Sequence, residues 1–134
     1  MSCEVITFEN IKRAADHVGS HIGVIPDTAI VLGSGLGHMA DKIEDPVFIE
    51  YADIPGFPRS TVQGHRGRFV YGRLSGRYVL LMQGRVHFYE GYSMDQVVMP
   101  IRLIGILEIK NLILTNASVG ISDQLNAGDI MVIE

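Results

Sequence analysis

Three short segments of this chain carry residue types suited to holding an anion. Gly33-Ser34-Gly35-Leu36-Gly37 follows the apolar run 29–32. Glycine lets a backbone approach an anion closely, a helix start offers N–H donors, and Ser34 adds a hydroxyl. The spacing is not the dinucleotide fingerprint, since His38 stands where a third glycine is needed, and no Lys-Ser/Thr pair follows to make a nucleotide P-loop. Taken alone, the segment equally fits a tight turn without a ligand. The stretch from Gly84 to Tyr92 is denser. Arg85 offers a planar fork to an oxyanion, His87 a further donor, and Tyr89 a ring face with a polar tip suited to a sugar. His65, in Gly64-His65-Arg66-Gly67, is a second candidate imidazole. The third segment, Thr115-Asn116-Ala117-Ser118, ends another apolar run, which places its backbone N–H groups at a sheet edge. Each histidine alone also fits a structural role. Metal ligation is disfavoured, because His65 and His87 lack an evident third ligand and sit among cations. No Ser-His-Asp order or nucleophile elbow is present.

The charges support an anion site. The 134 residues carry a formal charge of −4, yet residues 54–89 contain no acid and six arginines: Arg59, Arg66, Arg68, Arg73, Arg77 and Arg85. A local cationic block in an acidic protein suits one specific anion better than a polyanion surface, so nucleic acid is not an expected partner. Arginine's fork matches phosphate or carboxylate. The plain alternative for any one of them is a solvent-facing place on a strand.

The elements that must position these groups follow from periodicity. Phe8, Ile11, Ala14, Ala15, Val18 and Ile22 recur at helical spacing, with Thr7 placed as the cap. Residues 29–32 read as a buried strand, 38–43 as a short helix, and 47–51 as a further strand. Residues 54–67 read as a long loop. Runs 69–74 and 78–82 flank Ser75-Gly76-Arg77 as a hairpin. Ser93 and Gln96 have capping-box spacing for a helix running to about Glu108. Runs 112–115 and 130–133 read as strands. Alternating strands and helices imply one α/β domain over 1–134, a three-layer α/β/α arrangement whose sheet the hairpin makes mixed. At 47 % hydrophobic residues the chain can form a core. One cysteine, Cys3, excludes an internal disulfide. No apolar run reaches the roughly 18 residues of a membrane span, and the N-terminus lacks a signal-peptide pattern, so a cytoplasmic protein without membrane contact is expected.

These segments together resemble the purine nucleoside phosphorylases of the trimeric type. The resemblance is carried by Leu32-Gly33-Ser34-Gly35-Leu36-Gly37, by Ile54-Pro55-Gly56-Phe57-Pro58-Arg59-Ser60-Thr61-Val62 with Gly64-His65, and by Met82-Gln83-Gly84-Arg85. It continues through His87, Tyr89-Glu90-Gly91-Tyr92, Thr115-Asn116-Ala117 and Gly128-Asp129-Ile130. It implies phosphorolysis of purine nucleosides to free base and ribose 1-phosphate, with phosphate as co-substrate, no metal or organic cofactor, and a homotrimer. It also implies phosphate contacts from Ser34, His65, Arg85, His87 and Ala117, with His87 catalytic, and ribose or nucleoside contacts from Tyr89, Asn116 and Ala117. The chain corresponds to the N-terminal part of such a domain, and the family's base-recognising residues belong to the other half. Turnover by these 134 residues alone is therefore not expected. The alternative is an inactive remnant that binds phosphate or phosphorylated sugars. Val119 stands where the family usually has glycine, and it is expected to strain the backbone and crowd the nucleoside side.

Overall fold

The computed structural model describes residues 5–60 and 66–134. Helix α1, Phe8–His21, begins at a reciprocal capping box: the Thr7 hydroxyl accepts from the Asn10 amide at 3.2 Å and the Asn10 side chain accepts from the Thr7 amide at 2.8 Å. It buries Ile11, Ala14, Ala15 and Val18, the face that the periodicity marks. Strand β1 is Thr28–Leu32, β2 Glu44–Glu50, β3 Arg68–Leu74, β4 Arg77–Gln83 and β5 Asn111–Leu114. Helix α2, Met94–Ile106, starts at the Ser93–Gln96 capping box and runs through Pro100 without a break. Short 3-10 helices occupy Gly37–Lys42, Tyr51–Asp53 and Phe88–Glu90.

The strands form one mixed sheet in the order β2-β3-β4-β1-β5. β1 lies parallel to β4 and β5, while β3 runs antiparallel to β2 and β4. Side chains alternate between two cores, as a two-residue period requires. Ala29, Val31, Phe69, Tyr71, Leu80 and Met82 face α1 and α2. Leu32, Val70, Val79 and Leu81 face Ala40 and Ile43, the 3-10 segment and its end. The fold is thus α/β with a mixed central sheet, as expected.

Three local expectations change. The helix expected at 38–43 is a tight 3-10 turn over Gly37–Lys42, and the strand expected at 47–51 begins earlier and ends at Glu50. Residues 130–133 form no strand: Ile130 is 94 % and Val132 79 % exposed, with no neighbouring strand to satisfy their backbone. Edge strand β5 is likewise uncovered within these 134 residues, with Ile113 and Leu114 exposed.

Tyr51 joins the fold to the site. Its ring packs against Phe57 and Phe69, with centroids 4.8 and 5.1 Å away, and its hydroxyl donates to the Gly84 carbonyl at 2.7 Å. Burial, aided by the nearby Glu50 charge, raises its pKa well above the usual 10.0. The folded state thus keeps this phenol neutral where the unfolded chain would ionise it. Its contribution to stability is intact below about pH 10 and is lost as pH rises above that, by up to about 1.4 kcal/mol per pH unit. Denaturant melts between pH 9 and 11 should show this decline, and Tyr51→Phe should remove Tyr51's share of it while costing about 1–2 kcal/mol at neutral pH through the unpaired Gly84 carbonyl.

Candidate functional site

Because β1, β4 and β5 are parallel, their C-terminal ends reach the same edge of the sheet. The three segments with anion chemistry leave from these ends: Gly33 follows Leu32, Gly84 follows Gln83, and Thr115 follows Leu114. β3 runs the other way, which brings Arg66 and Gly67, just before its start, to that edge too.

The first and third segments are locked together. The Gly33 amide donates to the Thr115 hydroxyl at 2.8 Å, and that hydroxyl donates to the Val31 carbonyl at 2.7 Å. A Cβ on Gly33 would lie 2.5 Å from the Thr115 carbonyl oxygen and 2.8 Å from the Asn116 Cα, so only glycine fits. The Gly33 amide is consequently committed inside the fold. Donors for an anion must come from further along the loop, where Ser34 and Gly35 are exposed.

A cleft of about 330 Å³ opens beside this loop. Ser34, Gly35, His38, Arg66 and Gln83 line it, together with Asp41 and the Gly84 backbone. Arg85 and His87 are not part of its wall. They begin one residue beyond Gly84 and form a cluster of their own. Arg85 Nε donates to His87 Nε2 at 3.3 Å, and His87 Nδ1 lies 3.0 Å from Glu90 Oε1. The same carboxylate oxygen accepts the His87 backbone amide at 2.7 Å, and the Ser60 hydroxyl donates to the other oxygen at 3.3 Å. The Glu90 side chain is 3 % exposed. An acceptor at Nδ1 favours the ring form with its proton there, leaving the Nε2 lone pair toward Arg85. Tyr89 stacks on His87 with centroids 4.7 Å apart and planes at 15°, yet is 76 % exposed, an open aromatic face beside the imidazole.

The structure therefore places Ser34 in the cleft, Arg85, His87 and Tyr89 in one adjoining cluster, and Asn116 and Ala117 on exposed backbone at the end of β5. His65 lies outside the described residues. Val119 does not adopt positive φ and is 88 % exposed, so the expected backbone strain is absent. Sequence reading passed over Arg66, Gln83 and Glu90 as site residues. The His87-x-x-Glu90 spacing is itself a capping box, and Gln83 is a polar residue closing an apolar strand. Among the described residues no group of three His, Cys, Asp or Glu side chains is arranged to hold a metal.

A family model described as the phosphorylase superfamily matches residues 27–134. The chain belongs to the phosphorylase superfamily. Over 125 residues it is 49 % identical to purine nucleoside phosphorylase 1 of Bacillus subtilis, covering 93 % of this chain and 46 % of that protein. It is 45 % identical over 127 residues to the purine nucleoside phosphorylase of Rattus norvegicus, covering 95 % and 44 %. Isoform 2 of the Schistosoma mansoni purine nucleoside phosphorylase, solved with cytosine and ribose-1-phosphate, superposes with a TM-score of 0.83 at 43 % identity, over 92 % of this chain and 43 % of that one. The chain spans about half the length of the curated phosphorylases it matches.

Glu90 provides the sharpest test of the second cluster. Glu90→Gln keeps the capping-box acceptor for the His87 amide and removes the negative charge beside the ring, with an amide NH2 in place of the oxygen that accepts from Ser60. The circular dichroism spectrum should be unchanged. Binding of inorganic phosphate, followed by calorimetry, should weaken by about 1–2 kcal/mol as the hydrogen bond that orients the imidazole loses its charged acceptor.

Proposed function

We propose that this chain forms the phosphate- and ribose-binding half of a purine nucleoside phosphorylase. The observation that carries the reading is the delivery of all three anion-suited segments to one sheet edge by the parallel strands β1, β4 and β5. The named relatives are purine nucleoside phosphorylases, and one was solved with ribose-1-phosphate, the sugar phosphate that such an edge suits.

In this reading Ser34, Arg85, His87, His65 and the Ala117 amide hold phosphate, while Tyr89 and Asn116 meet the nucleoside. A phosphate oxygen attacks the anomeric carbon of the ribose, the bond from that carbon to the purine breaks, and the purine leaves with the electron pair and takes up a proton. Positive charge builds on the sugar as the bond stretches, and a phosphate dianion held beneath it stabilises that charge. Fixing the phosphate in line removes much of the entropic barrier to meeting it. Phosphate is a co-substrate in this scheme, and neither metal nor organic cofactor takes part. In this reading the assembly is a homotrimer in the cytoplasm.

The purified chain should bind inorganic phosphate, and Arg85→Ala should weaken that binding by about 1.5–3 kcal/mol, the range for a hydrogen bond to a charged group. The 134 residues alone should not release hypoxanthine from inosine. Release that depends on phosphate, in a sample free of host enzyme, would assign the purine chemistry to this half as well. Failure of the parent chain to bind phosphate would refute the reading.

A further inference from the structure

We propose that Gln83 is the positioning residue of the anion loop, holding Ser34 and Gly35 in their binding geometry without touching the anion itself. Gln83 is a buried polar side chain, at 7 % exposure. It closes β4 on the same sheet face as Leu81, where a hydrocarbon side chain would fill the space without the cost of burying an amide. Both ends of that amide are used. Arg68 Nε donates to its Oε1 at 2.8 Å, and its Nε2 donates to the Gly37 carbonyl at 2.8 Å. Rotating the amide by half a turn would oppose donor to donor and acceptor to acceptor, so one orientation is imposed.

Arg68 is itself fixed from the opposite side. Its guanidinium lies 4.1 Å from the Phe48 ring centroid and 3.9 Å from Glu50, both on β2. A continuous set of contacts therefore runs from β2 through Arg68 and Gln83 to Gly37. The loop is pinned at its start by Thr115 on Gly33 and at its far end by Gln83 on Gly37. Between these pins the Leu36 amide donates to the Gly33 carbonyl at 3.1 Å and Gly35 takes φ +84°, a tight turn that presents Ser34. Gln83 lines the same cleft as Ser34, so its loss would be felt on the binding side of the turn.

The proposal rests on the phosphate reading for its functional part and on the loop geometry for its structural part, and two variants in the full 134-residue chain separate them. Gln83→Met keeps the bulk and removes both hydrogen bonds. Gln83→Glu keeps the acceptor for Arg68 but loses the donor to Gly37, and regains one when the carboxyl is protonated. Gln83→Met should move the backbone amide resonances of Ser34, Gly35 and Gly37 in the absence of ligand and raise the Kd for inorganic phosphate about tenfold, with the circular dichroism spectrum retained. Because a carboxylate at position 83 also faces the anion cleft, the Gln83→Glu variant is read without ligand: at pH 8 its Ser34, Gly35 and Gly37 amide resonances should be displaced from those of the parent, as in Gln83→Met. Unmoved loop amides in Gln83→Met, or phosphate affinity equal to the parent, would overturn the proposal. Should that variant fail to fold, unmoved Ser34, Gly35 and Gly37 amides in ligand-free Gln83→Glu overturn it instead. A parent chain that ignores phosphate defeats the phosphate reading, while the loop amides of Gln83→Met still decide whether Gln83 positions the turn.

Discussion

The site depends on the contact between Gly33 and the end of β5. Two parallel strands can finish side by side only if the chain leaving one does not collide with the chain leaving the other. Here the clearance is so small that a single methyl group on Gly33 would overlap the Thr115 carbonyl and the Asn116 Cα. The Thr115 hydroxyl turns this proximity into a hydrogen-bonded lock by accepting from Gly33 and donating to Val31. The loop that carries Ser34 and the backbone that carries Ala117 are therefore held at a fixed separation. That arrangement suits a small anion, whose binding energy falls steeply with misplaced donors.

The arginine-rich stretch divides along the same axis. Arg66 reaches the cleft, Arg68 anchors Gln83, and Arg85 meets His87. Arg59 donates to the Ala52 carbonyl and braces the loop that follows β2. Arg73 and Arg77 lie at the other end of the β3–β4 hairpin, where Arg73 pairs with Asp45 at 3.1 Å and Glu44 at 3.6 Å. A second cleft, of about 420 Å³, opens at that end beside Gly23, Arg73 and Tyr78. Half of the cationic block thus serves the site edge directly, while Arg59 and Arg73 brace local structure.

Much of this was legible in the sequence because it rests on short-range rules. The Thr7 and Ser93 caps, the apolar stripe of α1 and the Ser75-Gly76 hairpin depend on neighbours within a few residues. The glycine loop and the Arg85–Tyr92 segment were legible as chemistry, since their residue types have few other uses so close together. Long-range partners were not. Nothing near Gln83 in the sequence shows that it meets Gly37 and Arg68, and nothing near Gly33 shows Thr115 at its amide. Residues 130–133 misled for the same reason: an apolar run becomes a strand only when another strand is there to pair with it, and its pattern is the same either way.

The central claim is that the ends of β1, β4 and β5 make one anion site rather than three unrelated turns. Titrating the ¹⁵N-labelled chain with inorganic phosphate tests it residue by residue. The amides of Ser34, Gly35 and Ala117 and the Arg85 side chain should shift together along curves that share one Kd. Separate curves for the three segments, or shifts confined to Gly23, Arg73 and Tyr78 at the opposite end of the sheet, would contradict it.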